Sequence, residues 1–173
     1  MTEKQFWMKA DQIADCKKTI EEKAELLAQL LKTTYDENLK LVVLYQGDHL
    51  MYMNIDDDHP NTIGNRCILC YTSKRKADAD LRARSYGLDW GYVYAKEALN
   101  NFFNKQIMGF LTFNCYSKDH VISVSKETLL KHIPGPHPIP DGFVDVPTSG
   151  YPVIPENTES NKPVCKIPAA DVS

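Results

Sequence analysis

At 173 residues the chain has room for one domain with appendages and a core of useful size. Hydrophobic residues at 43% and charged residues at 25% are ordinary proportions for a water-soluble globular protein. A net charge of −3 argues against a general affinity for nucleic acid, whose binders carry a basic surface.

The opening run Met1, Thr2, Glu3, Lys4, Gln5, Phe6, Trp7 lacks the basic-then-apolar order of a secretory signal. No apolar run approaches the roughly 18 residues of a membrane span; the best, 106–117, contains Asn114. The 5 cysteines are an odd count without framework spacing, which fits reduced thiols in a cytosol. A cytoplasmic location without a membrane is therefore expected.

Thr2 followed by Gln5 has the spacing of a capping box. Phe6, Ile13, Ile20 and Leu27 then recur every seven residues, and Ala10, Ala24 and Leu31 widen the seam. This spacing predicts one or two amphipathic helices over about residues 3–32, with Lys9, Asp11, Lys18, Glu21, Glu22 and Glu25 on the opposite faces. The seam fits either the chain's own sheet or a second copy, and packing within the chain is the simpler use.

Residues 39–133 alternate short β-type and helical runs. Lys40, Leu41, Val42, Val43, Leu44 and Tyr45 predict a buried strand, and residues 49–53 a second strand after a turn at Gln46, Gly47 and Asp48. Residues 56–65, punctuated by Pro60 and Gly64, read as a loop, and 66–72 as a third strand. Ser73 stands at an N-cap position before a helix over 74–84, which Gly87 closes. An extended run at 90–94 and a helix over 96–105 follow, the helix presenting Leu99, Phe102 and Phe103 to a core. Two strands at 109–114 and 121–124 flank a polar turn, and Ser125 caps a last helix carrying Leu129, Leu130 and Ile133. Nine of the ten prolines lie from Pro134 onward, so this segment favours extended or polyproline chain. Its apolar half, 141–155, is expected to dock as an arm.

Three stretches together resemble the SseB N-terminal domain family, a small bacterial α+β domain. They are Tyr71, Thr72 and Ser73 at a strand-to-helix junction, the strand from Gly109 to Asn114, and the closing run from Ile122 to Leu129. The order of elements over about residues 39–133 matches as well. Tyr71 stands where the family often has phenylalanine, and Cys115 where it often has proline. The resemblance implies a cytoplasmic bacterial protein that acts through interactions, and it brings no catalytic residues with it.

The candidate chemical groups each have a plainer reading. Cys67 and Cys70 lie three apart on a predicted strand, so their sulfurs point to opposite faces, and no second pair completes a zinc site. Cys115 and His120, at the ends of a turn beside Asp119, offer a thiol and a base but no visible oxyanion hole. Asp56, Asp57, Asp58 and His59 lack the ligand spacing of a calcium loop and read as a solvated acidic loop. Lys74, Arg75, Lys76, Arg82 and Arg84 make a basic helix face that Asp78 and Asp80 dilute. Trp90, Tyr92 and Tyr94 share one face of their run, as packing or as an aromatic recognition surface.

The expected fold is α+β: a mixed or antiparallel sheet of about five strands with packed helices, preceded by a long N-terminal helix and followed by a proline-rich arm. The expected divisions are 1–35, 36–133 and 134–173. The expected function is that of a non-enzymatic interaction or regulatory protein of the SseB-like type, without catalytic residues, metal or cofactor. A protein partner would be bound through Phe6, Ile13, Ile20, Leu27, Trp90, Tyr92, Phe143 and Tyr151. A homodimer through the N-terminal helix is a further expectation, and nucleic acid is not an expected partner. The alternatives are an immunity or inhibitor protein neutralising a toxin or host enzyme, and a cysteine-dependent enzyme using Cys115 and His120.

Overall fold

The structure, a computed structural model, describes residues 1–47, 49–59, 62–141, 143 and 154–155. Its helical start is built by two capping boxes. Thr2 accepts the Gln5 N–H at 3.2 Å while Gln5 accepts the Thr2 N–H at 2.9 Å, opening α1, Glu3–Asp15. Thr19 and Glu22 repeat the exchange at 3.1 and 3.0 Å and open α2, Ile20–Asp36. The heptad therefore does not run through one helix. Extended backbone at Cys16 and Thr19 turns the chain between them, and the seam loses register. Phe6 and Leu27 are fully buried and Ile13 half-buried, while Ile20, at the first position of α2, is 57% exposed.

The sheet has the strands β1 (Lys40–Gln46), β2 (His49–Leu50), β3 (Tyr52–Asn54), β4 (Arg66–Tyr71), β5 (Asp89–Tyr94), β6 (Met108–Phe113), β7 (Ile122–Ser125) and β8 (Ile154–Pro155). The order along it is β7-β6-β4-β1-β5-β8, with β2 on β1 and β3 on β4. Among the described residues only the β4–β6 pair is parallel, so the sheet is mixed and larger than five strands. The strand expected over 49–53 splits at Met51. Its first part pairs with β1, its second with β4, filling the fork where those two strands diverge.

The helix expected over 74–84 is likewise two: α3 (Lys74–Asp78), capped by Ser73, and α4 (Leu81–Ser85), capped by Asp80. Gly87 follows with a φ of +76°, the left-handed geometry that closes the segment. α5 (Ala95–Asn104) joins β5 to β6, and α6 (Lys126–His132), capped by Ser125, follows β7.

Alternation along the strands sends side chains to two cores. The larger joins Phe6, Ala10 and Ala14 of α1, Leu27 and Leu31 of α2, Leu99 and Phe102 of α5 and Leu129 of α6 to Val43, Ile68 and Leu111 of the sheet. Residues 1–35 are therefore part of the common core, not a separate appendage. Each large apolar side chain buried there contributes about 1.5–3 kcal/mol. The smaller core, on the other face, holds Val42, Leu44, Leu69, Tyr71 and Trp90 under Ala77 and Ala83 of α3 and α4.

Two close fits complete the frame. A Cβ on Gly109 would stand 2.2 Å from the Gly64 carbonyl oxygen, so the chain at Gly64, within the 56–65 loop, lies directly on β6. That loop is not simply a solvated acidic tract. Buried Asn65 donates to the carbonyls of Asp56 and His59, each at 3.0 Å, and accepts the Asp56 N–H at 2.7 Å.

After α6 the chain packs back. His137 stacks on Phe103 with centroids 4.0 Å apart, and Asn104 donates to the Pro138 carbonyl at 3.1 Å. Half-buried Phe143 donates its N–H to Pro140 at 3.1 Å. Pro155 and Ile154 pair with Gly91 and Tyr92, making an edge strand within the arm expected to dock. Tyr151 lies outside the described residues.

Candidate functional site

β4 and β6 run side by side in the same direction and end together at Tyr71 and Phe113. The chain then diverges, into α3 after β4 and into the 114–121 turn after β6. A parallel pair with diverging exits opens a crevice at its carboxyl ends, the usual place for ligands on such sheets.

Asn114 holds the two exits together. Its backbone takes a φ of +58°, a left-handed geometry that Asn tolerates better than most residues. The side-chain oxygen accepts the Thr72 N–H at 3.1 Å; the nitrogen donates to Thr72 Oγ1 at 3.0 Å and to the His120 carbonyl at 3.1 Å.

Beneath Asn114, Asp11 of α1 is only 7% exposed. It accepts from Thr72 Oγ1 at 2.7 Å, Ser73 Oγ at 2.8 Å and Arg75 Nη2 at 3.1 Å. Ser73 Oγ also accepts the Lys76 N–H at 3.0 Å as the cap of α3. One turn along α1, Asp15 takes Lys76 Nζ at 2.6 Å, His120 Nδ1 at 2.9 Å and Arg75 Nη2 at 3.5 Å. Burial pulls its carboxyl up, but the Lys76 bond and charge, with His120 and Arg75, hold it below the ordinary Asp value. Buried Lys23 closes the cluster by donating to the Ala14 carbonyl at 2.7 Å. A buried carboxylate with this many charge-assisted partners is tightly positioned.

Above this network lies a hollow of about 420 Å³. α3 supplies Arg75 and Lys76, the break before α4 supplies Asp80, α4 itself supplies Leu81 and Arg82, and the turn after β6 supplies Tyr116, Ser117 and His120. Leu81 is 75% exposed on its rim. Tyr86, 60% exposed, packs its ring 5.9 Å from Tyr116.

The two acids expected to dilute the basic face, half-buried Asp80 and exposed Asp78, each accept a hydrogen bond from an aromatic of the sheet. Asp80 accepts the Tyr71 O–H at 2.6 Å and the Ala83 N–H at 3.1 Å, and Asp78 accepts Trp90 Nε1–H at 3.1 Å. Burial, and then the bond to Asp80, push the Tyr71 phenol well above its usual value.

The cysteine groups do not converge on chemistry. Burial first, then the Asp80 charge, pushes the Cys115 thiol up to about 12, the opposite of what a nucleophile needs. His120 is engaged with Asp15, and no hydrogen bond joins it to Cys115 among the described residues. Cys70 faces the larger core and burial raises its thiol too; Cys67, three residues back on β4, takes the other face and donates to the Met53 carbonyl at 3.5 Å. Among the described residues no group of His, Cys, Asp and Glu is arranged to hold a metal ion, and no helix is long and apolar enough to cross a membrane.

The residues expected to bind a partner do not form one surface among the described residues. Phe6, Leu27 and Trp90 are core residues, taken up by the chain's own packing. Tyr92 is half-buried, stacked on Trp7 at 6.1 Å and edge-on to Trp90 at 5.5 Å, with Lys40 Nζ 5.7 Å above its ring. Ile13 lines a shallow groove with Leu26 and Leu30, between α1 and α2. Ile20 is exposed, and Phe143 is in the tail turn.

Sequence reasoning missed Asp11 and Asp15, which helical spacing places among solvated charges, and Tyr86, whose exposure has no local signal. From sequence, Asn114 reads only as the end of a strand.

Fold and site together define a mixed-sheet α+β domain with a polar-floored hollow at the carboxyl ends of its parallel strands. Comparison with protein-family models, with curated proteins and with solved structures finds no match for this chain.

Proposed function

We propose that this chain is a non-enzymatic interaction protein of the SseB-like type, and that the hollow beside β4 and β6 is where it takes its protein partner. The observation that carries the reading is the rim: Leu81 and Tyr86 are large, exposed and apolar, and they flank a concavity that also presents Tyr116 and Arg82. Tyrosine and arginine over a preformed concavity are the side chains that dominate binding energy at protein interfaces. The Asp11 network beneath supports the reading, because a rigid floor lowers the ordering cost of association.

Site-specific photo-crosslinking in the native host tests it. A crosslinking residue at position 86 should give a discrete adduct with one partner, lost on Leu81→Asp. The same residue in place of Lys32, on the exposed side of α2, should give none. Equal adducts from both positions would overturn the assignment.

The cysteine-dependent alternative is answered by alkylation at pH 7. Cys115 should react more slowly than a model thiol; faster reaction would favour the enzyme reading. Self-association competes for the exposed part of the N-terminal seam, and sedimentation of the wild type against Ile20→Glu decides between one copy and two.

A further inference from the structure

Resting on that reading, we propose that the hollow selects an acidic peptide segment, pairing one of its carboxylates with Arg82 while a neighbouring apolar side chain packs on Leu81, Tyr86 and Tyr116. Charge accounting around the hollow leads to this partner. Arg75, Lys76 and Arg82 line it as cations, with His120 beside them and Asp80 as the one carboxylate of the lining. Asp11 and Asp15, behind the lining, balance Arg75 and Lys76 through the ion pairs already described.

Asp80 keeps its negative charge in the lining but forms no ion pair with Arg82 among the described residues. Both of its oxygens are engaged by neutral donors, one by the Tyr71 hydroxyl and one by the Ala83 N–H. Asp78 is similarly engaged by the Trp90 indole. The Arg82 guanidinium has no hydrogen-bond or ion-pair partner among the described residues and is exposed. A guanidinium presents a planar fork of N–H donors matched to a carboxylate. Arg75 adds to this, since its side chain is 68% exposed and only one terminal nitrogen is used on Asp11 and Asp15.

The apolar half of the recognition adjoins the cation. Tyr116 is close enough to Arg82, Tyr86 and Asp80 for all three to act on its phenol, which burial and its acidic neighbours push up and Arg82 pulls down. Leu81 precedes Arg82 directly and stands on the rim. An occupant must therefore offer a carboxylate and an apolar group within a few residues of each other. That is the description of an acidic-apolar peptide. A basic peptide would meet Arg82 and Arg75 with like charge.

Fluorescence polarisation with the full chain and three labelled probes tests the proposal. The probes are a short peptide alternating Glu with Leu and Phe, the same peptide with Lys in place of Glu, and an oligothymidine of similar length. The acidic peptide should bind; the other two should not. Raising NaCl from about 50 to about 300 mM should weaken binding roughly fivefold, and Arg82→Glu should weaken it roughly tenfold or more. Tyr86→Ala should also weaken it, without changing the circular dichroism spectrum. Equal or tighter binding of the Lys peptide or the oligothymidine would overturn the proposal, as would an Arg82→Glu variant that keeps full affinity. Concentration-dependent dimerisation abolished by Tyr86→Asp would assign the surface to a second copy and overturn it too. If the acidic peptide fails while the position-86 crosslink persists, partner binding stands and acidic selection falls. If both fail, both readings fall.

Discussion

The two faces of the sheet are built differently. One is covered by α1, α2, α5 and α6 and filled with Phe6, Leu27, Leu31, Leu99 and Phe102, so its packing is deep, apolar and closed. The other is covered mainly by the two five-residue helices α3 and α4, whose buried contributions are Ala77 and Ala83, with Trp7 of α1 and Tyr116 packed beside them. Short helices with alanine undersides cannot close a face by hydrophobic burial alone. The thin face instead anchors its aromatics by polar tips, Tyr71 to Asp80 and Trp90 to Asp78, and the break between those acids opens the hollow. Stability is concentrated on one side of the sheet and the proposed recognition surface lies on the other.

Substitutions can break that contrast. The largest effect is expected at Phe102→Ala in the thick core, a loss of about 3–5 kcal/mol in urea unfolding. A loss below about 1 kcal/mol would mean that this core is not close-packed.

Asp11→Ala comes next, at about 3 kcal/mol, because Thr72 and Ser73 lose their acceptor and Arg75 one of its two carboxylates. It should also loosen amide exchange at Thr72 and Ser73, which a purely α1-local effect would leave unchanged.

On the thin face, Tyr71→Phe removes only the hydroxyl that Asp80 accepts and should cost about 1.5 kcal/mol. It should also raise Cys115 accessibility to alkylation, because Asp80 is then free to move.

The pH dependence has a defined sign. Asp15 is lowered in the folded state, so its contribution is present above the ordinary value near 3.8 and is lost as pH falls below that into the folded value. Asp15→Asn should lower stability at neutral pH, with the cost vanishing below the folded value, and so flatten the acid limb of a stability profile; an unchanged acid limb would remove Asp15 from the account. Cys115 acts at the other end. Its thiol is raised, so the stabilisation is complete below the ordinary thiol value near 9 and is lost as pH climbs towards about 12. The smallest effect is expected at Tyr86→Ser, within about 0.5 kcal/mol, because the ring is exposed.

Much of the frame is legible because its causes are local. Ser73 and Ser125 cap helices by accepting nearby N–H groups, and Thr2 with Gln5 forms its box within four residues. The Thr19 and Glu22 box has the same spacing and marks the break that the heptad conceals. Elsewhere the causes are distant. Asp11 looks like a solvent-facing charge on a helical wheel; only Thr72 and Ser73, some sixty residues away in sequence, make it a buried acceptor. The break at Asp80 depends on Tyr71 and Trp90 reaching its acids from the sheet, which no window of the helix contains. The hollow belongs wholly to this second kind, since it exists only where β4 and β6 end together.

The forked segment at Met51 bears on how the chain tolerates changes in length. Its N–H reaches the Leu44 carbonyl on one branch, and its carbonyl takes the Leu69 N–H from the other, so a single residue hands the chain from one ladder to the next. In an uninterrupted strand, one inserted residue reverses the facing of everything beyond it. Here an insertion ahead of Met51 disturbs only the two-residue pairing of β2, while β3 keeps its register on β4. The seam acts as an expansion joint, confining a frame slip to the sheet's outer tip.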